Sequence, residues 1–118
     1  MTEEKKPEER RVVKYAIDFD GTIVRNKFPD IGENIPEVVE FIKKVQARGD
    51  KWILWTCRDG EHLRKAIEHC HKNGLIPDAA NDNLPETIER VGRNPRKIMA
   101  DVYIDDHNAR GLQIPTGD

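Results

Sequence analysis

The sequence predicts an α/β protein, a three-layer α/β/α arrangement built on a parallel sheet. Short apolar runs rich in β-branched and aromatic residues alternate with stretches of helical period. Their spacing is that of βαβ units, whose right-handed crossovers make neighbouring strands parallel. The first and last apolar runs both end in acids, Asp18 and Asp20 in one, Asp105 and Asp106 in the other. For those acids to share one metal, strands one and four must be neighbours. The expected strand order is therefore 4-1-2-3, with a ligand site where the order reverses between strands one and four.

The elements follow in order. Residues 1–11 are almost all charged and contain Pro7, so they read as a disordered arm, with 12–118 a single catalytic core. The first strand begins at Val12 and ends at the acids, where Gly21 allows a turn. Residues 21–35 hold Gly21, Pro29 and Gly32 without a sustained period, and predict a loop or a short hairpin flap. A helix starts at Pro36, presents Val38, Val39, Phe41, Ile42 and Val45 to a core, and stops at Gly49. The second strand is 51–56. Its Trp52 and Trp55 have opposite parity, as in a strand buried on both faces.

A second helix runs from Asp59 or Gly60 to Asn73, with Leu63, Ala66, Ile67 and Cys70 as its apolar stripe. Residues 75–81 are a short third strand, 85–92 a short helix, and Val102 to Ile104 the last strand. The tail from His107 is irregular.

Composition excludes several classes. With 118 residues the chain makes one domain with one core. Twenty basic and 22 acidic residues leave a net charge of −2, so nucleic acid is not indicated as a partner. No apolar stretch approaches the ~20 residues of a membrane span. Two cysteines, Cys57 and Cys70, make no disulfide framework, and a reducing, cytoplasmic setting is expected. His62, His69, Cys70 and His71 do not read as a zinc site, because helical zinc pairs prefer spacings of three or four and Cys70 falls on the apolar stripe. A calcium hand is excluded by the preceding strand and by glycine at the fourth loop position, not the sixth.

A buried strand has no structural use for two carboxylates. Asp18 and Asp20 are two residues apart, so they point the same way. Like charges this close repel unless a cation or a shared proton holds them. Ending Val102-Tyr103-Ile104 with Asp105-Asp106 is likewise costly without a cation.

Asp18-Phe19-Asp20-Gly21-Thr22 after an apolar strand resembles the first motif of the haloacid dehalogenase-like superfamily, mostly phosphohydrolases that work through an aspartyl-phosphate. Thr56, closing Lys51 to Trp55, is similar to the family's second motif, and Lys97 stands where the family has its lysine. Asp105-Asp106 match its closing acids, and the likeness covers roughly residues 12–110. It implies a Rossmann-like fold of the small, capless type. The implied nucleophile is Asp18, with Asp20 as acid and base, Thr56 as donor to a phosphoryl oxygen and Lys97 as the fixed positive charge.

Carboxylates and phosphate together make an oxygen-rich site that selects Mg²⁺, and the resemblance implies that its ligands are Asp18, the Asp20 carbonyl and the pair Asp105 and Asp106. Asp105 is favoured as the direct ligand, with Asp106 acting through water or orienting Lys97. Arg58 can bind the rest of the substrate or pair with Asp59. Asn26 and Lys27 in the flap, and Asn81 and Asn83 after strand three, lie on the edge where substrate contacts belong.

The expected substrate is a phosphorylated small molecule or the phosphorylated end of a larger one. Neither gap between motifs has room for a cap domain, so the site is open, with a bulky substrate or a neighbouring subunit of a homo-oligomer to cover it. A rival of another class is a non-catalytic phosphate- or metal-binding module like a signalling receiver domain. Receivers place the acidic pair near the first strand and the phosphoacceptor on the third, the reverse of the order here.

Overall fold

The computed structural model describes residues 11–108 and 111–115. The expected disordered arm therefore lies outside the described residues except for Arg11, which pairs with Asp101 at 2.8 Å. Four strands make a parallel sheet: β1 (Lys14–Ile17), β4 (Lys51–Leu54), β5 (Ala79–Ala80) and β6 (Val102–Ile104). Strands β2 (Val24–Lys27) and β3 (Asp30–Asn34) form a separate antiparallel hairpin. Three helices complete the fold, α1 (Pro36–Ala47), α2 (Gly60–Lys72) and α3 (Pro85–Val91). None is long and apolar enough to cross a membrane.

The strand order is β5-β4-β1-β6. It differs from the expected 4-1-2-3 because the two strands of the segment read as a loop or a short hairpin flap enter the count as β2 and β3. By residues, Lys51–Leu54 and Val102–Ile104 flank Lys14–Ile17, and Ala79–Ala80 lies beyond Lys51–Leu54. The third strand is shorter than 75–81. Asp78 ends the approach to it by accepting the Trp52 N–H at 3.0 Å, so only two residues pair regularly.

Alternation along β1 and β4 buries both faces, as the parity of the apolar residues requires. Ile17, Trp52, Leu54 and Ile104 join Val38, Phe41, Ile42 and Val45 of α1 and Ala66 and Cys70 of α2 in one cluster. Ala16 and Ile53, of the other parity, are fully buried outside it. Each large side chain removed from water contributes about 1.5–3 kcal/mol. This packing makes the central strand rigid up to its last residue.

α1 begins with proline in its first turn after Ile35, and α3 with proline after Leu84. A proline ring suits the first helical turn, where its missing N–H would have had no partner. The second tryptophan behaves differently from the first. Trp52 is wholly buried, whereas Trp55, past the end of β4, is half-buried against Tyr103.

Candidate active site

The ladder continues one step beyond β1: Asp18 donates its N–H to Ile104 at 3.0 Å, and Trp55 donates to Ile17 at 2.9 Å. The chain then reverses around the Phe19 carbonyl, which accepts from Thr22, Ile23 and Val24. Phe19 is buried in the core. Asp18 and Asp20 on either side of it project away, into a cleft of about 450 Å³ lined by Asp18, Asp20, Asn26, Phe28, Thr56, Cys57, Arg58, Asp105 and His107.

Gly21 is required by two constraints. Its φ is +85°, in the left-handed region, and a Cβ there would overlap Asp106 Oδ2 and stand 2.8 Å from Asp106 Cγ. The glycine thus lets the last-strand acid approach the first-strand loop. Thr22, fully buried, accepts the Asp106 N–H on its hydroxyl at 3.2 Å. Asp106 Oδ1 is buried and has no hydrogen-bond partner among the described residues. His107 Nε2, at 3.7 Å, is too far to supply one.

Asp18 is costly to ionise where it stands. Asp18 is pushed from its ordinary 3.8 to about 7. Burial is the largest cause, the Phe19 backbone N–H opposes it, and the charges of Asp105, Asp106 and Asp20 add to it. Ligand atoms of Asp105, Asp106 and His107 lie within 4.8 Å of one another. A divalent cation suits this place on the structure's own terms. It would occupy the lone pairs of a buried, unpartnered carboxylate oxygen and neutralise a cluster of acids, and hard oxygen donors of this kind match Mg²⁺.

Among the described residues, Arg58 is the arginine that lines the cleft. Its carboxylate partner is Asp20, not Asp59. Its Nε and one terminal nitrogen grip the two Asp20 oxygens at 2.7 and 2.8 Å, and the same guanidinium donates to the carbonyls of Pro29 and Asp30. The side chain is 1% exposed. Phe19 and Phe28 lie against it, with ring centroids 5.1 and 5.0 Å from Cζ. Planar geometry and five donors make arginine the residue able to hold a carboxylate and a hairpin turn at once.

The other predicted residues divide. Thr56 lines the cleft, and its hydroxyl accepts the Arg58 N–H at 3.1 Å. Asn26 lines it as well, accepting from Phe28 at 3.2 Å. Asn81 is instead a brace: its Oδ1 accepts from Thr56 N–H at 2.8 Å and its Nδ2 donates to the Arg58 carbonyl at 3.2 Å. Lys27 is exposed on β2 and does not line the cleft.

Lys97 is held away from the cleft lining as well. Buried Asn83 donates to Asn94, Pro95 and the Lys97 carbonyl and accepts the Met99 N–H. That network draws the segment toward the start of α3, and Lys97 lines a separate depression. Sequence reasoning passed over Phe28, Cys57 and His107. Cys57 and His107 could have been flagged by adjacency to Thr56 and Asp106, but nothing in the sequence marks Phe28.

The histidines and cysteines of α2 are dispersed. His69 hydrogen-bonds Asn34, His62 packs on Phe28, and burial pushes the Cys70 thiol up to about 12.

No family model and no curated protein matches the chain. A solved structure of a conserved protein from Bacteroides thetaiotaomicron is 45% identical, with a TM-score of 0.77 over 88% of this chain and 84% of that one. The chain belongs to the same family as that protein.

Two predictions follow from the electrostatics. Asp18 binds its proton more tightly folded than unfolded, so its contribution to stability is complete below pH ~4 and is lost as pH rises through about 7. In metal-free protein, Asp18→Asn should therefore melt at a higher temperature than wild type at pH 8, and the gap should close toward pH 4. Parallel melting curves across that range would contradict the burial of this carboxyl.

Arg58→Met should cost about 3–5 kcal/mol in urea unfolding, because it strands Asp20 and releases the hairpin turn. Adding Asp20→Asn should restore part of that loss. A cost under about 1 kcal/mol would show that the ion pair is peripheral.

Proposed function

We propose that this member of the family shared with the Bacteroides thetaiotaomicron protein is a magnesium-dependent phosphohydrolase acting on a phosphomonoester. The observation that carries the reading is the cluster of Asp18, Asp105 and Asp106, in which one buried Asp106 oxygen has no hydrogen-bond partner among the described residues. The four-motif resemblance to the haloacid dehalogenase-like superfamily supplies the chemistry, and the parallel sheet with its acids at one edge is compatible with a Rossmann-like, capless core. Mg²⁺ bound by Asp18, the Asp20 carbonyl, Asp105 and Asp106 would neutralise both the carboxylates and the phosphoryl oxygens.

In this reading Asp18 attacks phosphorus as the bond to the leaving oxygen breaks, and Asp20 gives that oxygen a proton. Water then attacks the phosphorus of the aspartyl-phosphate, Asp20 takes the water's proton, and Asp18 is released with inorganic phosphate. Thr56 donates its hydroxyl to a phosphoryl oxygen. Arg58 aims Asp20, and the proton transfers require one Asp20 oxygen to exchange Arg58 for the reacting oxygen. Such acid–base assistance is worth on the order of 10²–10⁴ in rate.

A second reading is a metal- or phosphate-binding module without turnover. It is favoured by the engagement of both Asp20 oxygens by Arg58 and by the position of Lys97 outside the cleft lining.

Turnover and binding separate the two. The purified protein should hydrolyse an aryl phosphate with Mg²⁺, lose that activity in EDTA and regain it when Mg²⁺ is restored. Asp18→Asn should reduce turnover by at least about 10³-fold while keeping the fold. Mg²⁺ binding by calorimetry with no hydrolysis of any phosphomonoester would select the module, and undiminished turnover after exhaustive chelation would reject the metal site.

A further inference from the structure

We propose that the depression beside the cleft is a base-stacking subsite and that the substrate is a nucleoside monophosphate. This rests on the phosphohydrolase reading and names the substrate class of the same site. Ile17 is in register with Leu54 on one side and Ile104 on the other. One residue on, Asp18, Trp55 and Asp105 stand side by side, about 4.8 Å from strand to strand. By alternation Asp18 and Trp55 continue the face carried by Ala16, Ile53 and Tyr103. The aromatic neighbour of the proposed nucleophile is therefore Trp55.

Trp55 and Tyr103 meet edge to face, centroids 5.4 Å apart at 66°. Tyr103 is pinned: its hydroxyl donates to the Ile98 carbonyl at 2.6 Å and accepts the Ala100 N–H at 3.1 Å. A ring pair fixed before binding loses little freedom when a ligand stacks on it. The two rings line a depression of about 540 Å³ together with Arg96 and Lys97, both exposed. Beside it lies the acidic cluster that takes a cation and hence a phosphate.

An aromatic platform flanked by two cations, one strand spacing from the phosphate position, complements a flat heterocycle joined to a phosphate through one sugar. A sugar phosphate has no π-face to use the rings. A polynucleotide would call for a longer basic track than two side chains, and the net charge of −2 provides none. The network that draws Lys97 from the cleft lining thus places it where it can face the substrate's base and sugar.

The test compares adenosine 5′-monophosphate with ribose 5-phosphate, which differ by the base alone, in Mg²⁺. Calorimetry measures affinity, and tryptophan fluorescence locates it, since Trp52 is wholly buried and Trp55 is the one tryptophan a ligand can reach. The nucleotide should quench fluorescence and bind at least about tenfold more tightly than the sugar phosphate, the effect of one stacked base. Trp55→Leu should bring the two within about threefold of each other. Equal affinities in wild type, with no quenching, would overturn the subsite, and this comparison decides even if the variant fails to fold.

A 5′-phosphorylated oligonucleotide binding tenfold more tightly than the monomer would overturn the assignment to a mononucleotide. Turnover is scored separately. A base-dependent affinity without hydrolysis would sink the phosphohydrolase reading and leave the subsite standing, whereas hydrolysis with no preference for the base would do the reverse.

Discussion

One buried guanidinium organises the edge of the sheet that bears the cleft. Arg58, in the loop between β4 and α2, places its donors on Asp20 and on the carbonyls of Pro29 and Asp30. A charge so completely removed from water is tolerable only when paired and hydrogen-bonded, and here it is both. The consequence is mechanical. The hairpin turn, the loop after β1 and the loop after β4 meet at a single side chain, so none of the three moves alone. Asn81 extends the constraint to the loop after β5 by bridging Thr56 and the Arg58 carbonyl.

The second organising fact is unrelieved negative charge. Asp18, Asp20, Asp105 and Asp106 converge because β1 lies between β4 and β6 and because Gly21 has no side chain to keep Asp106 out. Arg58 neutralises one of the four. Among the described residues, Asp18 and Asp105 accept only from the backbone N–H groups of Phe19 and His107, and one buried Asp106 oxygen has no hydrogen-bond partner. Folding alone would not favour such a cluster, since replacing Asp18, which has no cationic partner among the described residues, by a neutral isostere should relieve repulsion. Sites where stability is given up in this way are where function is expected.

Much of this was legible in the sequence, for identifiable reasons. Apolar runs ending in acids marked the strand ends, and the proline starts marked α1 and α3. The paired acids pointed to one edge because only a β1–β6 pairing makes sense of them. Other features depended on contacts between residues far apart in the chain. The 21–35 segment could be narrowed only to a loop or a short hairpin flap, because Val24–Lys27 carries three exposed polar residues and no alternation. Arg58 has an acid beside it in sequence, Asp59, and another 38 residues away, Asp20, and only the fold decides between them. Lys97 matches its motif by spacing, yet the Asn83 network, fixed by the loop before α3, determines where its segment lies. Local pattern marks the strands and helices, while long-range hydrogen bonds set which side chains reach the cleft.

The central claim is that Asp18 carries the phosphoryl group. Brief exposure of the protein to a phosphomonoester in Mg²⁺, acid quenching and borohydride reduction would convert an acyl phosphate to homoserine, and peptide mass mapping would locate it. The account predicts homoserine at position 18 and unmodified acids at positions 20, 105 and 106. Modification at another acid, or none under conditions where phosphate is released, would contradict it.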